Sequence, residues 1–325
     1  MKINVAVALL TVVATSLFAP MPSVAQEERD DVFRADVQIV NILATVRNKD
    51  GVLVSDLSKD DFVLYEDGVP QEIQYFARQT DLPLTIGLLV DTSVSQQNLI
   101  YEERTAGYRF FDKVLRVDKD LAFLMSFDID VELLQDFTSS ARLLQDGLER
   151  LSIQGVNRGV TTSPVPQVGR PVSTAMYDSV YLASREMLKG QVGRKAIVLI
   201  SDGYDYGSKV DIKEAVEAAQ RSDVIIFGIR YFDQMFYARQ GVMGAGIGEL
   251  RRLSRRTGGE VYEVRRKQTL DQIFDEINRI VRNQYSLGYS PKRDLSEKGF
   301  RKIELKLKNK RLKSQTREGY YPSEL

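Results

Sequence analysis

Between residues 84 and 283, short aliphatic runs alternate with segments whose apolar residues recur every three or four positions. That alternation restricts the fold more than any other feature of the chain. The runs 84–91, 120–127, 195–201 and 223–230 are rich in Leu, Ile, Val and Phe and show no polar alternation, as strands buried on both faces do. Helical patterns fall at 97–115, 139–151, 174–189, 210–221, 248–257 and 268–283, and a last short strand at 260–264. Strand followed by helix, repeated, predicts an α/β domain with a doubly wound, mostly parallel sheet. The connection Phe127-Asp128-Ile129-Asp130 is too short for a crossover, so a strand over 130–136 is expected to run antiparallel at one edge.

The run Leu82 to Val90 ends in Asp91-Thr92-Ser93-Val94-Ser95. Ligands of open α/β sheets collect beyond the carboxyl ends of strands, and this Asp-x-Ser-x-Ser triplet falls there. One carboxylate and two hydroxyls on alternate residues are hard oxygen donors, suited to Mg²⁺, Mn²⁺ or Ca²⁺ and not to zinc or copper. Alone, the triplet also fits a polar strand-end turn. Two more segments add oxygen: Val172 to Asp178, which contains Thr174 and opens a helical pattern, and Ile197 to Gly203, which closes an apolar strand at Asp202.

Taken together, Asp91, Ser93, Ser95, Thr174 and Asp202 resemble the metal-ion-dependent adhesion site of the von Willebrand factor type A family. The expected antiparallel edge strand and the segment Gly248 to Tyr262 are similar to the same family, so that the resemblance covers residues 84 to 283. It implies that Ser93 and Ser95 bind a divalent cation directly, Thr174 directly or through water, and Asp91 and Asp202 largely from outside direct coordination. It further implies a Mg²⁺, Mn²⁺ or Ca²⁺ cofactor and an open coordination position. That position would take an Asp or Glu side chain, or a C-terminal carboxylate, of another protein.

Strand patterns flank this domain. Asp36 to Val46 alternates, Asn48-Lys49-Asp50-Gly51 forms a hairpin turn, and 52–54, 62–68 and 73–76 read as short strands. At the other end 285–289 and 300–308 alternate strictly, and a last strand lies near 314–320. Few strands bury little surface alone, so the two ends are expected to fold as one β-sandwich with the α/β domain inserted, two separate β units being the alternative. With Asp61 to Gly68 before it and Gln284 to Tyr289 after it, the chain looks like a bacterial exported subgroup of the type A family. The expected division is a signal peptide at 1–25, a linker at 26–34, a β unit at 35–81, the type A-like domain at 82–283 and a second β unit at 284–325.

The 325 residues include 45 Lys plus Arg and 45 Asp plus Glu, so no global field attracts nucleic acid or an anionic membrane. The sequence contains no Cys, His or Trp. A thiol nucleophile, a Ser-His-Asp triad, a His or thiolate zinc site and disulfides are therefore all excluded. Met1-Lys2-Ile3-Asn4, the apolar stretch Val5 to Ala19 and the small-residue site Ser23-Val24-Ala25 form a signal-peptide pattern, and no later segment is apolar enough to span a membrane. A periplasmic or secreted protein is expected.

Two features invite other readings. The glycine-rich run Gly241 to Gly248 follows the second-last strand of the domain, whereas a dinucleotide fingerprint opens the first β-α unit. The stretch 292–317 holds eleven Lys or Arg, but Lys302, Glu304, Lys306 and Lys308 alternate with Ile303, Leu305 and Leu307, which describes the solvated face of a half-buried strand. The turn-rich loop 152–172, Tyr204, Asp205, Tyr206, Gln96 and Gln97 are expected to rim the site. The leading function is a protein-binding module and not an enzyme. The alternatives are a structural envelope protein with an unused site and a Mg²⁺-dependent phosphate hydrolase with Asp91 as nucleophile. An aspartyl phosphohydrolase favours a second Asp at position 93, which here is Ser93.

Overall fold

The computed structural model describes residues 39–78, 82–153, 174–239 and 246–322. The proposed signal peptide and linker, nearly all of the loop 152–172 and the first part of the glycine-rich run lie outside them. In chain order the elements are β1 (Val40–Arg47), β2 (Phe62–Glu66), β3 (Val69–Gln71), β4 (Tyr75–Arg78), β5 (Leu84–Asp91), α1 (Ile100–Val114), β6 (Leu121–Phe127), β7 (Val131–Thr138) and α2 (Ala141–Glu149). They continue with α3 (Met176–Leu182), β8 (Arg194–Ser201), α4 (Ile212–Arg221), β9 (Val224–Arg230), α5 (Gln234–Arg239), α6 (Ile247–Thr257), β10 (Val261–Glu263) and α7 (Leu270–Arg282). The last are β11 (Tyr285–Tyr289), β12 (Arg301–Leu307), β13 (Lys313–Gln315) and β14 (Gly319–Tyr320).

The central sheet has the order β10-β9-β8-β5-β6-β7, and β7 alone runs antiparallel to its neighbour. Every residue of β5, β8 and β9 is buried, which accounts for their unbroken apolar runs. One face, with Ile86, Leu88 and Val90, packs on Phe110 of α1, Leu148 of α2 and Phe274 of α7. The other, with Leu89, Ile197 and Leu199, packs on Val180 of α3, Ala215 of α4 and Leu253 of α6. The helices start where local chemistry dictates. Asp211 and Glu214 close a capping box on α4, and Thr269 and Gln272 close one on α7, which satisfies backbone N–H groups that a first turn leaves without partners.

Strands from the two chain ends share two four-stranded sheets, β13-β1-β11-β4 and β14-β12-β2-β3. Ile42, Leu287 and Tyr289 of the first meet Phe62, Leu64, Ile303 and Leu305 of the second in one apolar core, so the pair is a β-sandwich. β4 and β11 are antiparallel neighbours, with Arg78 opposite Tyr285, and the α/β domain therefore leaves and re-enters the sandwich at one point. Within this core lies a charged pair. Arg301 and Glu66 meet at 3.2 Å with both side chains almost fully buried, and the Tyr289 and Tyr320 hydroxyls donate to Glu66 at 2.5 and 2.9 Å. Lys302, Glu304 and Lys306 point to solvent as the alternation requires.

Three expectations shift in detail. Residues 52–54 form only an isolated bridge, Leu53 with Arg47, and the last strand splits into β13 and β14, which pair with different sheets. The short helix α5, six residues with none buried, carries no apolar periodicity that predicts it. No helix among the described residues is long and apolar enough to cross a membrane.

Candidate metal centre

β5 is the first strand of the central sheet, and the chain proceeds from it to β6 on one side and later to β8 on the other. The strand order thus reverses between β5 and β8, and ligands of open α/β sheets bind beyond the carboxyl ends of strands at such a switch point. Asp91 is the last residue of β5, and Asp202 follows the last residue of β8. Val90 lies opposite Ile200, so Asp91 is level with Ser201 and Asp202 lies one residue beyond, at the same end of the ladder.

From there the site assembles through short polar links. The Ser93 amide donates to Asp91 Oδ1 at 2.9 Å, an Asx turn that folds the chain back over the strand end. Ser201 Oγ donates to the other Asp91 oxygen at 2.6 Å. Ser93 Oγ and Ser95 Oγ lie 2.8 Å apart, and Ser95 Oγ donates to Asp202 Oδ2 at 2.6 Å. The Tyr204 amide holds the second Asp202 oxygen at 3.1 Å. Asp91, Ser93, Ser95 and Asp202 are thus joined by direct hydrogen bonds, all of them buried.

Thr174 reaches the same end of the sheet by another route. The neighbouring Ala175 amide donates to the Asp128 carbonyl, just beyond β6, at 2.6 Å, and the Thr174 carbonyl accepts from the Tyr206 amide at 3.2 Å. Asp205 and Asp178 tie the start of α3 to the loop after β8 through the Tyr177 amide at 3.0 Å and the Lys209 amide at 2.9 Å. The Thr174 side chain is buried and its hydroxyl is not bonded to the other four residues. Two glycines let the loops close. Gly203 has φ +90° and Gly246 φ +100°, and a Cβ on Gly246 would lie 2.3 Å from the Asp202 carbonyl.

The donor set suits a hard cation. In an octahedron with bonds of about 2.0–2.1 Å, adjacent ligand oxygens stand roughly 2.9 Å apart. The 2.8 and 2.6 Å steps from Ser93 to Ser95 to Asp202 lie close to that edge. No cluster of three or more His, Cys, Asp or Glu that could hold a metal occurs among the described residues, so hydroxyl oxygens must supply what further carboxylates would. Burial first, and then the charge of Asp202, push the Asp91 carboxyl well above its ordinary value. A divalent cation would relieve that repulsion.

Several residues of the site were not anticipated. Ser201 braces Asp91. Glu103 of α1 is 1% exposed, and burial, then Asp91, Glu102 and Asp202, raise its carboxyl. Neither of its oxygens has a hydrogen-bond partner among the described residues. Tyr237 of α5 reaches in from above, its hydroxyl donating to Asp202 Oδ2. Of the expected rim, Tyr206 is exposed, but Gln96 is fully buried and donates to the Tyr231 carbonyl at 3.2 Å. That Gln96 lines the surface is therefore corrected: the 3₁₀ turn Val94–Gln96 directs its side chain inward. Helical periodicity could have flagged Glu103 as core-facing, whereas nothing local to Tyr237 points to a site far away in sequence.

Strand order, the antiparallel edge strand and the Asp-x-Ser-x-Ser turn at the switch point give the chain a fold like that of von Willebrand factor type A domains, with flanking β segments. No protein-family model matches the chain, and no curated protein does. Among solved structures it is similar to the mussel byssus proximal thread matrix protein 1 with a zinc-occupied MIDAS motif, at 12% identity and TM-score 0.47, over 68% of this chain and 50% of that one. It is also similar to BatB from Bacteroides thetaiotaomicron, at 18% identity and TM-score 0.43, over 62% of this chain and 100% of that one. A third is the von Willebrand factor domain of the pilus tip protein Mfa5 from Porphyromonas gingivalis, at 13% identity and TM-score 0.44, over 62% and 95%. The chain spans about half the length of the mussel protein.

Proposed function

We propose that this protein is an exported, metal-ion-dependent binding module whose Ser93, Ser95, Thr174, Asp91 and Asp202 hold one divalent cation, Mg²⁺ in the first instance, with Mn²⁺ or Ca²⁺ as alternatives. The observation that carries this reading is the buried, continuous line of oxygens from Ser93 to Ser95 to Asp202, with Ser93 Oγ and Ser95 Oγ at octahedral-edge spacing. When bound, the cation supplies a positive, partly uncoordinated centre for an Asp, Glu or C-terminal carboxylate of another protein. Ser93 and Ser95 are neutral donors and leave that centre electron-poor, while Asp91 and Asp202 compensate its charge from within the protein. The signal-peptide pattern at 1–25 supports export to the periplasm or beyond.

Hydrolysis is disfavoured by the same geometry. Both Asp91 oxygens are engaged, by Ser201 and by the Ser93 amide, and the residue is fully buried, so no free carboxylate faces a substrate. Without His, the described site also lacks an obvious general base. Calorimetric titration with Mg²⁺, alongside pull-down from an exported-protein extract with Mg²⁺ and with chelator, tests the proposal. Ser93→Ala and Asp202→Ala are expected to lose metal and partner together. Partner capture that survives both the substitutions and the chelator refutes the reading, and absence of metal binding leaves a structural envelope protein.

A further inference from the structure

Aromatic rings gather over the metal centre. Tyr206 stacks on Tyr204 and Tyr204 on Tyr237, each with ring centroids 5.6 Å apart, and Phe236 meets Tyr237 edge-on at 5.4 Å. Tyr237 alone enters the site. Its hydroxyl donates to Asp202 Oδ2, so the phenol occupies one of the five candidate donors directly. Asp202 Oδ2 accepts at the same time from Ser95 Oγ, at 2.6 Å. A carboxylate oxygen has about two lone-pair sites, and here two hydroxyl hydrogens occupy them. A cation approaching between Ser95 and Asp202 therefore meets hydrogens where it needs lone pairs.

The element that carries Tyr237 is lightly held. α5 contains no fully buried residue, and Met235 is 64% exposed. Its first turn is fixed by Asp233, which accepts from the Met235 amide at 2.8 Å, the Phe236 amide at 3.2 Å and the Asn98 side chain at 2.6 Å. A segment with few buried apolar contacts, held at its first turn by Asp233 and at the site by Tyr237 itself, opens at small cost in free energy. Asn98 follows the Asp91 to Ser95 turn closely in sequence, so the anchor ties α5 to the segment that supplies the donors.

We propose that Tyr237 is a built-in competitor of the metal centre: its hydroxyl occupies Asp202 Oδ2, beside the Ser95 hydroxyl, in the place of a cation and must withdraw before cation and partner carboxylate bind. The inference rests on the metal reading above. Withdrawal frees the Asp202 Oδ2 lone pair that the Tyr237 hydrogen occupies, and the positive charge of the cation replaces the charge-assisted bond that is lost. Opening then couples the site to α5 and the aromatic rim, so that a partner with an acidic residue beside apolar groups is favoured over a free carboxylate.

Calorimetric titration of the full chain with Mg²⁺ tests this, using wild type, Tyr237→Phe, Tyr204→Phe and Ser93→Ala. Tyr237→Phe keeps the ring stack and removes only the hydroxyl, and it is expected to bind Mg²⁺ about tenfold tighter, the equivalent of about 1.4 kcal/mol. Tyr204→Phe removes a hydroxyl with no partner among the described residues and should stay within about twofold of wild type. Mg²⁺ is also expected to produce a tyrosine ultraviolet difference spectrum in wild type that Tyr237→Phe largely lacks. Equal or weaker binding by Tyr237→Phe overturns the competitor while leaving the metal site intact. If neither wild type nor Tyr237→Phe binds, the metal reading falls and takes the competitor with it. Binding by Tyr237→Phe alone is the strongest support.

Discussion

Glu103→Gln should stabilise the metal-free protein at alkaline pH and do little in acid. Glu103 is 1% exposed, neither carboxylate oxygen has a hydrogen-bond partner among the described residues, and burial followed by Asp91, Glu102 and Asp202 raises its proton affinity. The sign follows from linkage. A carboxyl whose folded pKa lies above its ordinary 4.5 contributes most below that value, and the contribution is lost as pH rises through the folded pKa. Gln has the same shape and no charge, so it removes this slope. An isolated buried carboxylate costs several kcal/mol by solvation, and each pH unit of linkage is worth about 1.36 kcal/mol. Mutational data put the burial of an unpaired polar group at about 1–3 kcal/mol, and the middle of that range, about 2 kcal/mol, is the gain expected at pH 8. Urea unfolding in the presence of chelator reads it as a midpoint shift of about 0.7 M, at an m-value near 3 kcal/mol/M. A variant that is less stable than wild type at pH 8 would refute the reasoning, because the carboxylate would then have to be paired.

Other outcomes follow from the same contacts. Arg301→Ala leaves Glu66 buried and uncompensated, and should cost the sandwich about 3–5 kcal/mol in urea unfolding, while Lys302→Ala on the solvent face stays within about 0.5 kcal/mol. Gly203→Ala places a Cβ 2.3 Å from the Gly246 carbonyl at φ +90°, and should weaken Mg²⁺ binding and lower the melting temperature together. Raising the pH from 5 to 8 should destabilise the chelator-treated protein through Asp91 as well, and a shift that Mg²⁺ does not suppress would argue against cation binding between Asp91 and Asp202.

Two kinds of information separate in this chain. Local pattern is enough to place the strands and all helices but α5 in the central domain, because strands buried on both faces need unbroken aliphatic runs and surface helices need one apolar stripe. The Asp91, Ser93 and Ser95 turn is legible in the same way, since three oxygen-bearing side chains on alternate residues at a strand end are a local pattern. The pairing of the chain ends was legible only as matching alternation. The register of β11 between β1 and β4, and the burial of Arg301 against Glu66, depend on contacts between residues more than two hundred positions apart.

Tertiary structure alone decided what surrounds the donors. Ser201 bracing Asp91, Glu103 behind it, Gln96 turned inward and the Tyr237 hydroxyl on Asp202 come from separate elements. None carries a local signature, because a side chain that meets the site across space is free of any spacing rule along the chain. Periodicity records which face of an element is buried, and it does not record which other element buries it.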